Sequence, residues 1–107
     1  MKKNYRFTIC FDGTRFYGWE HQPNTDMTIQ GKIENVLAKM VGVEMVDVIG
    51  CGRTDAGVHA KAMIANAFLD TPLTCEEIRD YMNRYLPDDI CITDVAEAGD
   101  RFHSRYN

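Results

Sequence analysis

Residues 43–69 read VEMVDVIGCGRTDAGVHAKAMIANAFL, and the order of events within them decides the fold. Two runs of strand character, 43–49 and 58–69, follow one another directly. Only a glycine-punctuated connection, 50–57, separates them, which is too short for a packed helix. Valine and isoleucine fill the first run. The second is long and apolar on both faces, and its alanines predict close packing by another element. Two adjacent strands with no helix between them predict an antiparallel β–β step.

Working outward, residues 4–11, NYRFTICF, alternate polar and apolar, with Tyr5, Phe7, Ile9 and Phe11 on one face. That period of two predicts a half-buried strand. Asp12-Gly13 closes it as a turn. Residues 14–27 have no regular period and read as a loop rich in aromatics: Phe16, Tyr17 and Trp19. Thr28 suits a helix cap, and Ile29, Ile33, Val36, Leu37 and Met40 follow at helical spacing up to Gly42. On the other side, Thr74 and Glu77 make a capping box for a second helix striped by Ile78, Tyr81, Met82 and Tyr85. Pro87 ends that region, and residues 90–96, ICITDVA, predict a fourth strand. The order is β-α-β-β-α-β. It predicts an α+β fold of ferredoxin-like type, a four-stranded antiparallel sheet with both helices on one face.

Composition bounds the function classes. The 107 residues are one domain's worth of chain, ordinary in apolar and charged content. No apolar run approaches the roughly 20 residues that a membrane helix needs. The N-terminal residues lack a signal-like apolar stretch, so no membrane partner and a cytoplasmic location are expected. Cys10, Cys51, Cys75 and Cys91 are scattered without a CxxC pair, which predicts reduced thiols and no zinc site. The net charge of −4 is unevenly spread. Residues 68–98 hold eight acids and two bases, and the rest hold eight acids and ten bases. A basic face beside an acidic helix is compatible with these counts, as is ordinary solvated charge.

The richest segment chemically is GCGRTDAGVHA, 50–60. Glycines at 50, 52 and 57 allow close approach of a ligand backbone. Arg53 and Asp55 are two residues apart and share a side in extended backbone. The guanidinium favours the ionised carboxylate and suits a phosphate. The same composition also makes a plain turn with a local ion pair. Phe16, Tyr17 and Trp19 suit base stacking or the plugging of a sheet end. In the tail, Arg101, His103 and Arg105 alternate around Phe102, as in a basic groove lining or an exposed charged end.

Five blocks carry a resemblance. GRTDAGVHA at 52–60 resembles the catalytic motif of the TruA-type tRNA pseudouridine synthases. YRFTICFDGTRFYGW resembles the family's opening strand and Y-D-G-T-x-F-x-G-W-Q loop. TIQGKIENVL resembles its T-V-Q-x-x-L-E helix, NRYLPDDICI its N-x-x-L-P-x-D-I segment, and RFHSRYN its F-H-A-R stretch. The five occur in register over almost the whole chain. Departures are Glu20 for the usual Gln, Cys51 for Ser or Ala, and Met63-Ile64 within the usual G-Q-V of the third strand.

The resemblance implies isomerisation of uridine to pseudouridine in the anticodon stem-loop of tRNA, with no metal or organic cofactor. It places the family's nucleophilic aspartate on Asp55 and its active-site arginine on Arg53. Arg15, Asn83, His103 and Arg105 are the implied RNA contacts, and Lys61 and Arg101 are further candidate RNA-binding residues. It also implies a single domain, 1–107, matching the N-terminal half of a longer catalytic region whose second half is absent here, so that little activity is expected of this piece. A homodimer is expected of the full-length protein. The competing expectation is a non-catalytic RNA-binding or interaction module of the same fold.

Overall fold

The computed structural model describes residues 2–13, 28–50 and 60–99. Within them lie β1 (Lys3–Phe11), α1 (Ile29–Val41), β2 (Ile49–Gly50), β3 (Ala60–Leu69), α2 (Cys75–Tyr85) and β4 (Ile90–Glu97). The strands form one antiparallel sheet in the order β2-β3-β1-β4. Order, pairing and the α+β class agree with the sequence reading.

The alternation of β1 explains the layering. Tyr5, Phe7, Ile9 and Phe11 are all buried and share one core with Ile29, Ile33 and Leu37 of α1 and Ile78 and Met82 of α2. Both helices therefore cover the same face. Phe7 lies between Ala65 of β3 and Val95 of β4, and Tyr5 lies opposite Ala67. These small β3 side chains leave room above the sheet for the helices, so large and small residues interdigitate. Burying that face supplies most of the driving force, at about 25 cal/mol per Å² of apolar surface.

Two bulges shape the sheet. Ile9 pairs Met63 and Phe11 pairs Ala60, so β3 carries one extra residue near its start. Thr8 pairs Asp94 and Ile9 pairs Ile92, which leaves Thr93 as the extra residue of β4. The second bulge resets the phase of β4: Ile92 and Val95, three residues apart, both reach the core. Thr93 Oγ1 donates to the Thr8 carbonyl at 3.2 Å across the bulge.

The caps follow the sequence signals. Thr28 Oγ1 accepts from Gly31 N at 3.1 Å at the start of α1. Gly42 ends it in the left-handed region at φ 75°, where its N–H donates to Ala38 O. Thr74 and Glu77 form both bonds of the capping box, at 3.1 and 2.9 Å.

The second strand is the correction. A strand over 43–49 was expected, but only Ile49 and Gly50 pair with β3. The cause is α1. Val48 N donates to Glu34 Oε2 at 2.9 Å, and Val48 O accepts from Gln30 Nε2 at 2.8 Å. Helix side chains one turn apart thus take both polar groups of Val48. Val46 and Val48 still bury their side chains, whereas Val43 and Met45 stay exposed. The run keeps its apolar anchors without a long ladder.

Candidate functional site

The motif segment is attached at one end of the sheet. Phe11, the last residue of β1, lies opposite Ala60 of β3 and Ile90 of β4. In the chain, residues 14–27 follow β1, and residues 51–59 run from Gly50, paired with Ala65, to Ala60, opposite Phe11. Of the sequence-predicted site residues, Arg15, Arg53, Asp55, Arg101, His103 and Arg105 lie outside the described residues. Lys61 belongs to β3, at the bulge between Ala60 and Met63.

The anchors around that end are well defined. Before the motif segment, Ile49 and Gly50 pair with Asn66 and Ala65, and Gln30 and Glu34 hold Val48. Glu34 is only 8% exposed, and its carboxylate bond to a backbone N–H meets the requirement that a buried charge be hydrogen-bonded. After α2, Asp12 N donates to Asp89 O at 2.9 Å, which joins the end of β1 to the lead-in of β4.

Asn83 does a comparable job. Its Nδ2 donates to Ile92 O at 2.9 Å, and its Oδ1 accepts from Ile92 N at 2.7 Å. β4 is an edge strand, and this amide covers the outer polar groups of Ile92. The contact uses one N–H and one lone pair of a group that has two of each.

The tail leaves elsewhere. Ala98 N donates to Asn4 O at 2.8 Å, and Asn4 Nδ2 donates to Gly99 O at 2.9 Å. The chain therefore leaves β4 beside the start of β1, at the opposite end of the sheet from the motif segment. There Lys3 pairs with Glu97 at 3.2 Å, and that hydrogen bond raises the lysine pKa. Burial raises the phenol pKa of neighbouring Tyr5.

The face away from the helices is lined by Arg6, Thr8 and Cys10 of β1, Ala62, Ile64 and Phe68 of β3, and Cys91, Thr93, Asp94 and Ala96 of β4. Arg6, Phe68, Cys91 and Thr93 are exposed there. Asn4 and Asn66, on the same face, are buried and joined by a 3.2 Å bond from Asn66 Nδ2 to Asn4 Oδ1. Among the described residues, no group of three or more His, Cys, Asp and Glu side chains is placed to hold a metal ion. Among the same residues, no helix is long and apolar enough to cross a membrane.

Sequence reasoning missed Gln30 and Glu34. Their signal was present: the two are four apart, and Glu34 interrupts the apolar stripe between Ile33 and Leu37. A buried acid on the core side of a helix needs a backbone or cationic partner.

Fold and motif define a class: a four-stranded α+β domain with a glycine-rich R-x-D connection at one end of its sheet. A family model described as tRNA pseudouridine synthase matches residues 8–107. The chain belongs to that family. It is 55% identical over 104 residues to tRNA pseudouridine synthase A 2 of Bacillus cereus, covering 97% of this chain and 42% of that protein. It is 46% identical over 105 residues to tRNA pseudouridine synthase A 1 of Clostridium tetani, and 43% identical to tRNA pseudouridine synthase A of Clostridium botulinum. In each, it spans 98% of this chain and 42% of the relative. The chain thus covers about two fifths of the length of the curated relatives it matches.

Proposed function

We propose that this chain is the catalytic-aspartate part of a tRNA pseudouridine synthase, with Asp55 as the reacting carboxylate. The observation that carries this reading is the family match through residues 8–107, which includes RTDAG in the connection between β2 and β3. The substrate is a uridine in the anticodon stem-loop of tRNA.

The reaction is an isomerisation. The C1′–N1 glycosidic bond breaks, the uracil turns, and C5 bonds to C1′. The C5 hydrogen leaves as a proton, and N1 gains one. An ionised carboxylate serves either by attacking C1′ or by removing a ribose proton to give a glycal. Arg53, two residues away, keeps Asp55 ionised and fills the space that the flipped base vacates. Extrusion of the base costs a few kcal/mol, which such filling offsets in part. Arg15, Lys61, Arg101, His103 and Arg105 bind the RNA backbone, and Asn83 contributes from the end of α2. No metal or organic cofactor enters the reaction. Residues 1–107 act as one domain, and the full-length enzyme works as a homodimer.

The alternative, a binding module without turnover, is separated by one comparison. This chain replaces the matching 42% of the Bacillus cereus relative in one polypeptide. Unmodified tRNA is supplied, and its nucleosides are resolved by chromatography. Pseudouridine is expected from the parent and not from Asp55→Asn, with tRNA binding kept in both. Binding without pseudouridine in the parent would establish the module instead. The 107-residue chain alone is expected to give little product.

A further inference from the structure

We propose that Cys10 and Cys91 form a redox-active dithiol that closes to a disulfide between β1 and β4. The two residues are direct cross-strand partners. Ile9, Phe11, Ile90 and Ile92 beside them all point into the core, so both thiols project from the face away from the helices. Both are free cysteines, Cys91 exposed and Cys10 half-buried.

The hydrogen-bond pattern fixes the kind of pair. Asp12 N donates to Asp89 O, whereas Ile90 N donates to Pro87 O and Ile92 gives both of its polar groups to Asn83. The pairs Phe11–Ile90 and Ile9–Ile92 are therefore the non-bonded ones, and Cys10–Cys91 is a bonded pair. Cα atoms of such a pair are about 5.5 Å apart, within the roughly 4.4–6.8 Å that a disulfide spans. Opposed Cβ atoms sit about 4.5–5.5 Å apart and must draw in to about 3.8 Å. That adjustment strains the bond and makes it readily reduced, which suits a switch rather than a permanent brace. Packing does not account for the pair either, since an apolar thiol gains nothing at an exposed position such as Cys91.

The step balances with a low-molecular-weight disulfide as oxidant. The Cys91 thiolate attacks one of its sulfurs and releases one thiol. Cys10 Sγ then attacks Cys91 Sγ of the mixed disulfide and releases the second thiol. Two protein thiols are oxidised and one external disulfide is reduced. Cys75 cannot substitute, because it lies beside Tyr5 at the other end of β1. The bond would pin the strand pair one residue from Phe11–Ile90, at the end where residues 14–27 and 51–59 are attached.

The test treats the native chain with excess oxidised glutathione, quenches with acid, alkylates, and reads intact mass and linked peptides. Expected are a mass loss of two hydrogens, one linked peptide pair containing Cys10 and Cys91, and reversal by dithiothreitol. Closure should run at least ~10-fold faster in native chain than in urea, because the fold holds the sulfurs together. Cys10→Ser should stop at a glutathione adduct on Cys91. The exposed Cys91→Ser variant, which disturbs no core contact, should likewise form no internal bond. Separate adducts on both cysteines, a link to Cys51 or Cys75 instead, or closure no faster than in urea would each overturn the proposal.

Discussion

Single side chains replace backbone pairing at both edges of this sheet. Glu34 and Gln30 hold Val48 beside β2, and Asn83 holds Ile92 on β4. Glu34→Ala leaves the buried Val48 N–H without its acceptor, which costs about 1–3 kcal/mol. Glu34→Gln keeps an acceptor and should cost clearly less. Urea unfolding of the two variants checks the order, and equal losses would contradict the assignment. Tyr5 offers a pH test. Burial raises its pKa above the ordinary 10.0, so the folded chain holds its proton more tightly than the unfolded one. Lys3, raised by its bond to Glu97, acts with the same sign. Both contributions are complete below the unfolded pKa values and fade as pH rises through the folded ones. Stability should therefore fall with alkali above about pH 10, and more gently in Tyr5→Phe. An identical decline in that variant would remove Tyr5 from the account.

Element boundaries show what local sequence encodes. Thr28, Thr74, Glu77 and Gly42 are self-contained signals, because each cap is satisfied within a few residues of itself. Gly42→Ala tests one of them: no atom lies within 4 Å of an added Cβ, so the cost is that of φ 75° alone. It should be about 1 kcal/mol in thermal or urea unfolding. The alternation of β1 was legible for the same reason, since its period follows directly from a buried face. β2 was not. Val43 to Ile49 has strand composition, and what shortens it is a pair of bonds from a helix 14–18 residues earlier in the chain. The Thr93 bulge was equally hidden, because it appears only once β4 is laid against β1. The candidate site divides in the same way. Asp55 and Arg53 were legible as a motif with several companions in register. Neither composition nor motif indicates that the tail and the motif segment are attached at opposite ends of the sheet.

At the scale of the whole molecule, the acidic total and the proposed RNA substrate are reconciled by distribution. Residues 68–98 hold half of the 16 acids but only two of the 12 bases. α2 contributes Glu76, Glu77 and Asp80 on the helix-covered side of the sheet, away from the face that carries Arg6. Binding of tRNA should weaken steeply with salt, with a log–log slope set by the number of phosphates contacted. Arg15→Ala or Arg105→Ala should each reduce that slope by about one. A salt-independent affinity would contradict the phosphate contacts. The claim on which the rest depends is that Asp55 carries out the isomerisation, and the chemistry supplies its own reporter. Forming the C5–C1′ bond expels the C5 hydrogen, so tRNA tritiated at uridine C5 releases label to water only on turnover. The most direct measurement is this release by the chain joined to the remainder of its Bacillus cereus relative, with Asp55 or with Asp55→Asn. Steady release by the parent and a loss of at least ~10²-fold in the variant is the predicted result. Equal release by both would contradict the account.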